Sequence, residues 1–210
     1  MEDISQRRSK DGDVFVVLAG ENSKHLHMGN IIKVKKYSIE NGKGIRTSIF
    51  FSGCEFYCKG CFNSEAWDFN KGEEFTYELY KTKIKPTINK HIAGISILGG
   101  EPLHPKNIIA TSNLVNWFKR DFPNKNVWLW TGYTYEDLIK KPYTENLVVE
   151  RNIIKAVCLK GILENIDVLV DGQYIEEQRD LTLKWRGSKN QRVVDMQESL
   201  KQNKVILYEN

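Results

Sequence analysis

Three of the four cysteines fall between residues 54 and 61, in "SGCEFYCKGCFN" (52–63), with the spacing Cys54-x3-Cys58-x2-Cys61. Thiolates grouped this closely bind metal, either zinc in a closed four-ligand site or an iron–sulfur cluster. Three merely buried thiols would not choose a loop so rich in Ser, Gly, Lys, Glu and Asn. Zinc knuckles usually pair C-x2-C with a second couple at similar spacing. Here Cys158 sits in an apolar, helical context, and His91 and His104 follow a helix and a Gly-Gly turn. A [4Fe–4S] cluster held by three cysteines leaves one iron with an open position, which a small molecule carrying an amine and a carboxylate can chelate.

The elements that must position these thiols are those of an ordinary soluble domain. The chain has 210 residues, 40% hydrophobic and 28% charged, with a net charge of +4 spread along its length. That charge suits an acidic partner. The absence of a basic run with interleaved aromatics speaks against nucleic acid. No stretch approaches the roughly 18 apolar residues of a membrane span, which excludes a spanning helix. The start, "MEDISQRRSKDGD", lacks the apolar run of a secretory signal, so the expected location is the cytoplasm, where clustered cysteines are reduced. Residues 1–28 are set apart as an extension from a domain over 29–210. Met28 admits an upstream start, and the run "VFVVLAG" (14–20) admits an extra N-terminal strand.

From residue 31 strand and helix patterns alternate. "TSIFFSG" (47–53), "ISIL" (95–98), "VWLWTG" (127–132) and "IDVLVDG" (166–172) read as buried strands, and "KVILYE" (204–209) as a terminal one. Helices are expected over 75–94, with Thr76 as cap, Gly94 as stop and a break at Pro86, and over 107–123, 134–141 (capped by Thr134), 152–162 and 195–202. Asp195 and Glu198 give the last of these a capping box. The alternation predicts an α/β fold with a mostly parallel sheet, and ligands gather where such strands end. Four loops then share one rim: the cysteine loop, "GGEP" after 98, "TGY" after 130 and "DG" after 170.

The spacing Cys54-x3-Cys58-x2-Cys61 and "GGEP" together resemble the radical S-adenosylmethionine (SAM) superfamily. The ordered set "NGKGIRTSIFFSGCEFYCKGCFN", "EAWDF", "ISILGGEPL", "VWLWTGY", "DVLVDGQY" and "RGSKNQR" resembles its anaerobic (class III) ribonucleotide reductase activating branch. Most members of the superfamily carry an aromatic residue before the third cysteine. Gly60 stands there in this chain, a departure typical of that branch, and Lys43 replaces a proline common in its first turn.

The resemblance implies a partial, open (βα) barrel of the radical SAM type. It implies that Cys54, Cys58 and Cys61 hold three irons of a [4Fe–4S] cluster and that S-adenosyl-L-methionine chelates the fourth. Gly99, Gly100 and Glu101 would meet the methionine amino group, and Gly60 and Phe62 would lie along the adenosine. Thr131, Gly132 and Asp171 are further candidates for the ribose and the rim, and the loop 186–192 for a surface that faces the partner protein or the substrate. The implied activity is reductive cleavage of SAM to a 5′-deoxyadenosyl radical that takes hydrogen from a glycine of the reductase large subunit. An electron donor such as flavodoxin is also implied, and no acid–base dyad is needed. Alternatives are an activase of another glycyl-radical enzyme, a radical SAM enzyme with a small-molecule substrate, or, without use of "GGEP", an electron carrier or zinc adaptor. The expected lesser roles are core packing for Cys158 and core or interface positions for Trp67, Trp128 and Trp130.

Overall fold

The computed structural model describes residues 4–8, 14–18, 29–140 and 150–209. Met28 and Lys141, the last residue of the expected 134–141 helix, lie outside them. Strands β1 (Ile4–Arg8) and β2 (Val14–Leu18) pair antiparallel with each other. The other seven form one mixed, open sheet in the order β5-β3-β4-β6-β7-β8-β9: β3 (Asn30–Ser38), β4 (Arg46–Phe51), β5 (Glu73–Glu74), β6 (Gly94–Gly99), β7 (Asn126–Trp130), β8 (Val168–Asp171) and β9 (Arg192–Asp195). The four central strands, β4, β6, β7 and β8, are parallel, while β3 and β9 flank them antiparallel.

Strand periodicity decides the two faces. Ile95 and Ile97 of β6, Val127 and Leu129 of β7 and Leu169 of β8 point to one side. There they meet Leu114, Val115 and Phe118 of α2 (Ile108–Asp121, after a short α1 at Tyr77–Leu79). Past α3 (Tyr135–Lys140), α4 (Glu150–Asn165) adds Ile154, Leu159 and Ile162, and buried Cys158 among them fills the expected core position. Each such large apolar side chain contributes about 1.5–3 kcal/mol on burial. The alternate residues Trp128, Val168 and Val170 face the other way, under Trp130, Trp185, Val193 and Tyr208.

Several expected elements differ in extent. Thr76 caps as expected, its hydroxyl accepting the Leu79 N–H at 3.1 Å. The helix then widens to a π turn over Tyr80–Ile84 and closes as a 3-10 turn, Lys85–Thr87. Pro86 has no N–H with which to continue, so Gly94 opens β6 instead of ending a helix. Thr134 and Asp137 exchange capping bonds at the start of α3, and Asp195 caps α5 (Met196–Gln202) through the Glu198 N–H. The expected terminal strand is only a single bridge, Val194 to Leu207, with β9 in its place at the sheet's edge. Among the described residues no helix is long and apolar enough to cross a membrane.

The amino edge of the sheet is tied by a fully buried arginine. Arg46 donates to Ser96 Oγ at 2.7 Å, to the carbonyls of Lys43 and Ile95, and to Asn126, and it lies over the Trp128 ring. Burial without a touching carboxylate lowers its pKa to about 9. Lysine lacks the planar fork that reaches four partners at once. Arg46→Lys is therefore expected to lower the unfolding free energy by about 2 kcal/mol, read as a lower urea midpoint at unchanged slope.

Candidate functional site

The parallel register sets Phe51 beside Gly99 and Trp130 beside Val170, so the four expected loops leave from one edge. The chain runs from β4 straight into the cysteine loop. Gly53 and Cys54 donate their N–H groups to the carbonyls of Ala66 and Trp67, at 2.7 and 3.1 Å. A Cβ on Gly53 would stand 1.9 Å from the Phe69 ring, so only glycine fits. The Cys61 N–H closes on the Cys58 carbonyl at 3.1 Å, with Gly60 at φ 75° in the third position, as a type II turn requires. Phe56 fills the space left by Gly132 and meets Tyr133 edge-on at 5.1 Å, while Tyr57 meets Trp67 at 5.3 Å.

All four cysteines are free thiols, with Cys54 buried and Cys58 and Cys61 half-buried. Burial pushes the Cys54 thiol up to about 11, opposed by the Phe56 N–H. Among the described residues no three His, Cys, Asp or Glu side chains gather to hold a single metal ion. Thiols spread over a turn suit a cluster, whose irons sit at separate corners. His104, the histidine nearest in sequence after the "GGEP" turn, is engaged elsewhere: its Nδ1 accepts the Lys106 N–H and its Nε2 meets Glu55, both at 3.2 Å, and burial keeps its pKa low.

The "GGEP" turn packs directly on this loop. A Cβ on Gly99 would lie 2.5 Å from the Phe51 backbone, and one on Gly100 2.4 Å from the Gly53 carbonyl. The Gly100 N–H donates to Phe51 at 2.7 Å and the Glu101 N–H to Gly53 at 2.8 Å. The two glycines thus let two backbones touch. Glu101 is 1% exposed, and its carboxylate accepts the N–H of Leu103, the Thr131 hydroxyl and the N–H of Gly132 at 2.7–2.8 Å. One carboxylate thus closes its own turn and joins it to the rim of the next strand.

Sequence reading missed Asn107. Fully buried at the start of α2, it does not cap that helix. Its Nδ2 donates to the carbonyls of Ser52 at 2.8 Å and Glu101 at 2.9 Å, with Gly53 at 3.5 Å. A flipped amide would set oxygen against oxygen, so these carbonyls fix its orientation. Asparagine before an apolar run reads as a cap, and that signal hid its part in the site.

Asp171 is an anchor. Fully buried, it accepts the Tyr135 N–H at 2.7 Å and the Arg192 guanidinium, which also grips Glu136 with two hydrogen bonds. Loop 186–192 turns its polar groups inward. Gln191 accepts the Gly187 N–H and donates to the Gly172 carbonyl, both at 2.9 Å, while Asn190 donates to Gln173 at 2.7 Å. The segment it supports reaches the cysteine loop: Gln173 bonds the Phe56 carbonyl, and Glu177 meets Lys59 at 3.6 Å. The Glu176 carboxylate occupies the room beside Gly60, where a Cβ would stand 2.0 Å from Oε2. Phe62 projects outward, 86% exposed.

A family model for a 4Fe-4S single cluster domain matches residues 40–194. The chain is 39% identical over 155 residues to the anaerobic ribonucleoside-triphosphate reductase-activating protein of Vibrio cholerae, covering 73% of this chain and 89% of that protein. It is 35% identical over 170 residues to the protein of that name from Haemophilus influenzae, covering 77% and 95%. The corresponding protein of Enterobacteria phage T4 is 36% identical over 155 residues, covering 73% and 85%.

Two outcomes test the geometry. Asn107→Asp faces converging carbonyls with a carboxylate and is expected to lower the unfolding free energy by about 3 kcal/mol, against about 2 for Asn107→Ala, measured in urea. Arg192 holds the Glu136 pKa near 2, below its ordinary 4.5. The stability this confers is present above pH 4.5 and fades as pH falls toward 2. The stability gap between wild type and Glu136→Gln should therefore narrow between pH 5 and 3.

Proposed function

Because the chain belongs to the family of anaerobic ribonucleoside-triphosphate reductase-activating proteins and carries a 4Fe-4S single cluster domain, we propose that it is a glycyl-radical activase using Cys54, Cys58 and Cys61 as cluster ligands. Held by these three cysteines, the cluster would supply the electron for reductive cleavage of SAM, the chemistry by which a glycine of the anaerobic ribonucleotide reductase would lose a hydrogen atom. The observation that carries the ligand assignment is the cysteine loop itself: three free thiols on the rim of four parallel strands, bound through backbone and the Asn107 amide to the "GGEP" turn.

The chain's own residues bind and orient. Gly99 and Gly100, half-buried at the rim and packed on the cysteine loop, set the turn that would receive the methionine end of SAM, and Glu101 joins that turn to Thr131 and Gly132. Phe62 is free to cover the adenosine. Glu176 sits beside Gly60, so the adenosine must share that side with a carboxylate. The open sheet is read as a partial, open (βα) barrel of the radical SAM type, in a domain over residues 29–210 that follows an extension over 1–28. An acidic carrier of the flavodoxin type suits the net charge of +4, and the reducing cytoplasm suits the free thiols.

Reconstituted without oxygen, the protein is expected to take up about four irons per chain, as one cluster requires, with Cys58→Ala abolishing the iron–sulfur absorbance and Cys158→Ala preserving it. Co-incubation with the reductase large subunit, SAM and a reductant should then give the EPR signal of a glycyl radical. Zinc in place of iron would overturn the cluster, and an intact cluster with a silent spectrum would overturn the choice of partner.

A further inference from the structure

Among the described residues three buried side-chain polar atoms find no hydrogen-bond partner: Asn63 Nδ2, Asn107 Oδ1 and Asn190 Oδ1. Two are acceptors, and Asn63 contributes the donor. Asn63 stands two residues beyond Cys61 and is 9% exposed. Its carbonyl accepts the Ala66 N–H at 2.9 Å, which starts the turn Ser64–Ala66, yet its side chain does not cap that turn. An asparagine used as a cap engages its oxygen and leaves its amide nitrogen to water. Here the nitrogen is enclosed, and an enclosed N–H without an acceptor disfavours folding. The acceptor comes from outside the polypeptide, as a water or as a bound group.

We infer that the Asn63 amide donates a hydrogen bond to the iron–sulfur cluster held by the neighbouring Cys61, and so raises the cluster's reduction potential. The inference rests on the cluster reading above. Cluster sulfides and cysteine thiolates carry negative charge, and hydrogen bonds to sulfur are among the terms that set such potentials. Reduction adds one more negative charge, so a fixed donor stabilises the reduced form more than the oxidised one. Asn63 acts on the electron-transfer step without touching substrate.

The test uses the full chain, reconstituted and reduced. With 15N-asparagine labelling, pulsed EPR of the reduced wild-type cluster should show a nitrogen coupling that is lost in Asn63→Leu. An EPR-monitored redox titration should place the Asn63→Leu midpoint at more negative potential at equal iron content, with Asn63→Ser, which keeps a donor, moving back toward wild type. An unchanged midpoint in Asn63→Leu overturns the inference while leaving the cluster intact. Should Asn63→Leu fail to load iron, absence of the 15N coupling in wild type overturns it instead. Failure of the wild type to take up iron overturns the cluster reading itself.

Discussion

The site depends on one amide. The carbonyls of Ser52, Gly53 and Glu101 converge where the cysteine loop leaves β4 and the "GGEP" turn leaves β6, and the Asn107 nitrogen lies among them. Oxygens brought so close repel unless a donor stands between them. The N–H groups of Gly53, Cys54, Gly100 and Glu101 already donate to backbone carbonyls, so the further donor comes from a third element. The start of α2 supplies it. With the turn held, the Glu101 carboxylate faces Thr131 and Gly132, and the rim of the next strand joins the assembly.

The two edges of the sheet solve their polar burial differently. At the amino edge Arg46 is held by neutral oxygens, and burial weakens its hold on its proton. At the carboxyl edge Asp171 and Arg192 form a charged pair that extends to the half-exposed Glu136. The first arrangement packs strand ends together and reaches no loop of the site. The second fixes α3 and β9 against the end of β8, so that the segment after Asp171 starts from a rigid point. Rigidity at that edge is what a site built from four separate loops requires.

Much of this was legible in the sequence because it is local. Strand-ending glycines, the cysteine spacing and the capping residues Thr76, Thr134 and Asp195 act within a few positions of themselves, and each stands where its type predicts. What escaped reading is long-range. Asn107 reaches back 55 residues to Ser52, and Arg192 joins residues 21 and 56 positions away. The stretch 204–209 has a strand's composition, but β9 holds the sheet edge and leaves it one bridge. The inward bonds of loop 186–192 are long-range too: Asn190 and Gln191 reach back 17 and 19 residues to the carbonyls of Gln173 and Gly172, in the segment 172–175.

That segment gives Gly60 a second reason to be glycine. The turn between Cys58 and Cys61 demands a positive φ at this position, which a residue with a Cβ adopts only at a cost. Independently, the Glu176 carboxylate occupies the volume where a side chain would begin. The aromatic residue usual before the third cysteine in the wider superfamily would need both a different turn and a displaced arm. The arm in turn is held by Gln191, Asn190 and Ser188 and tied to the loop by Gln173 and Glu177. The glycine that marks the branch is thus one contact in a continuous support running from the loop 186–192 to the cysteines.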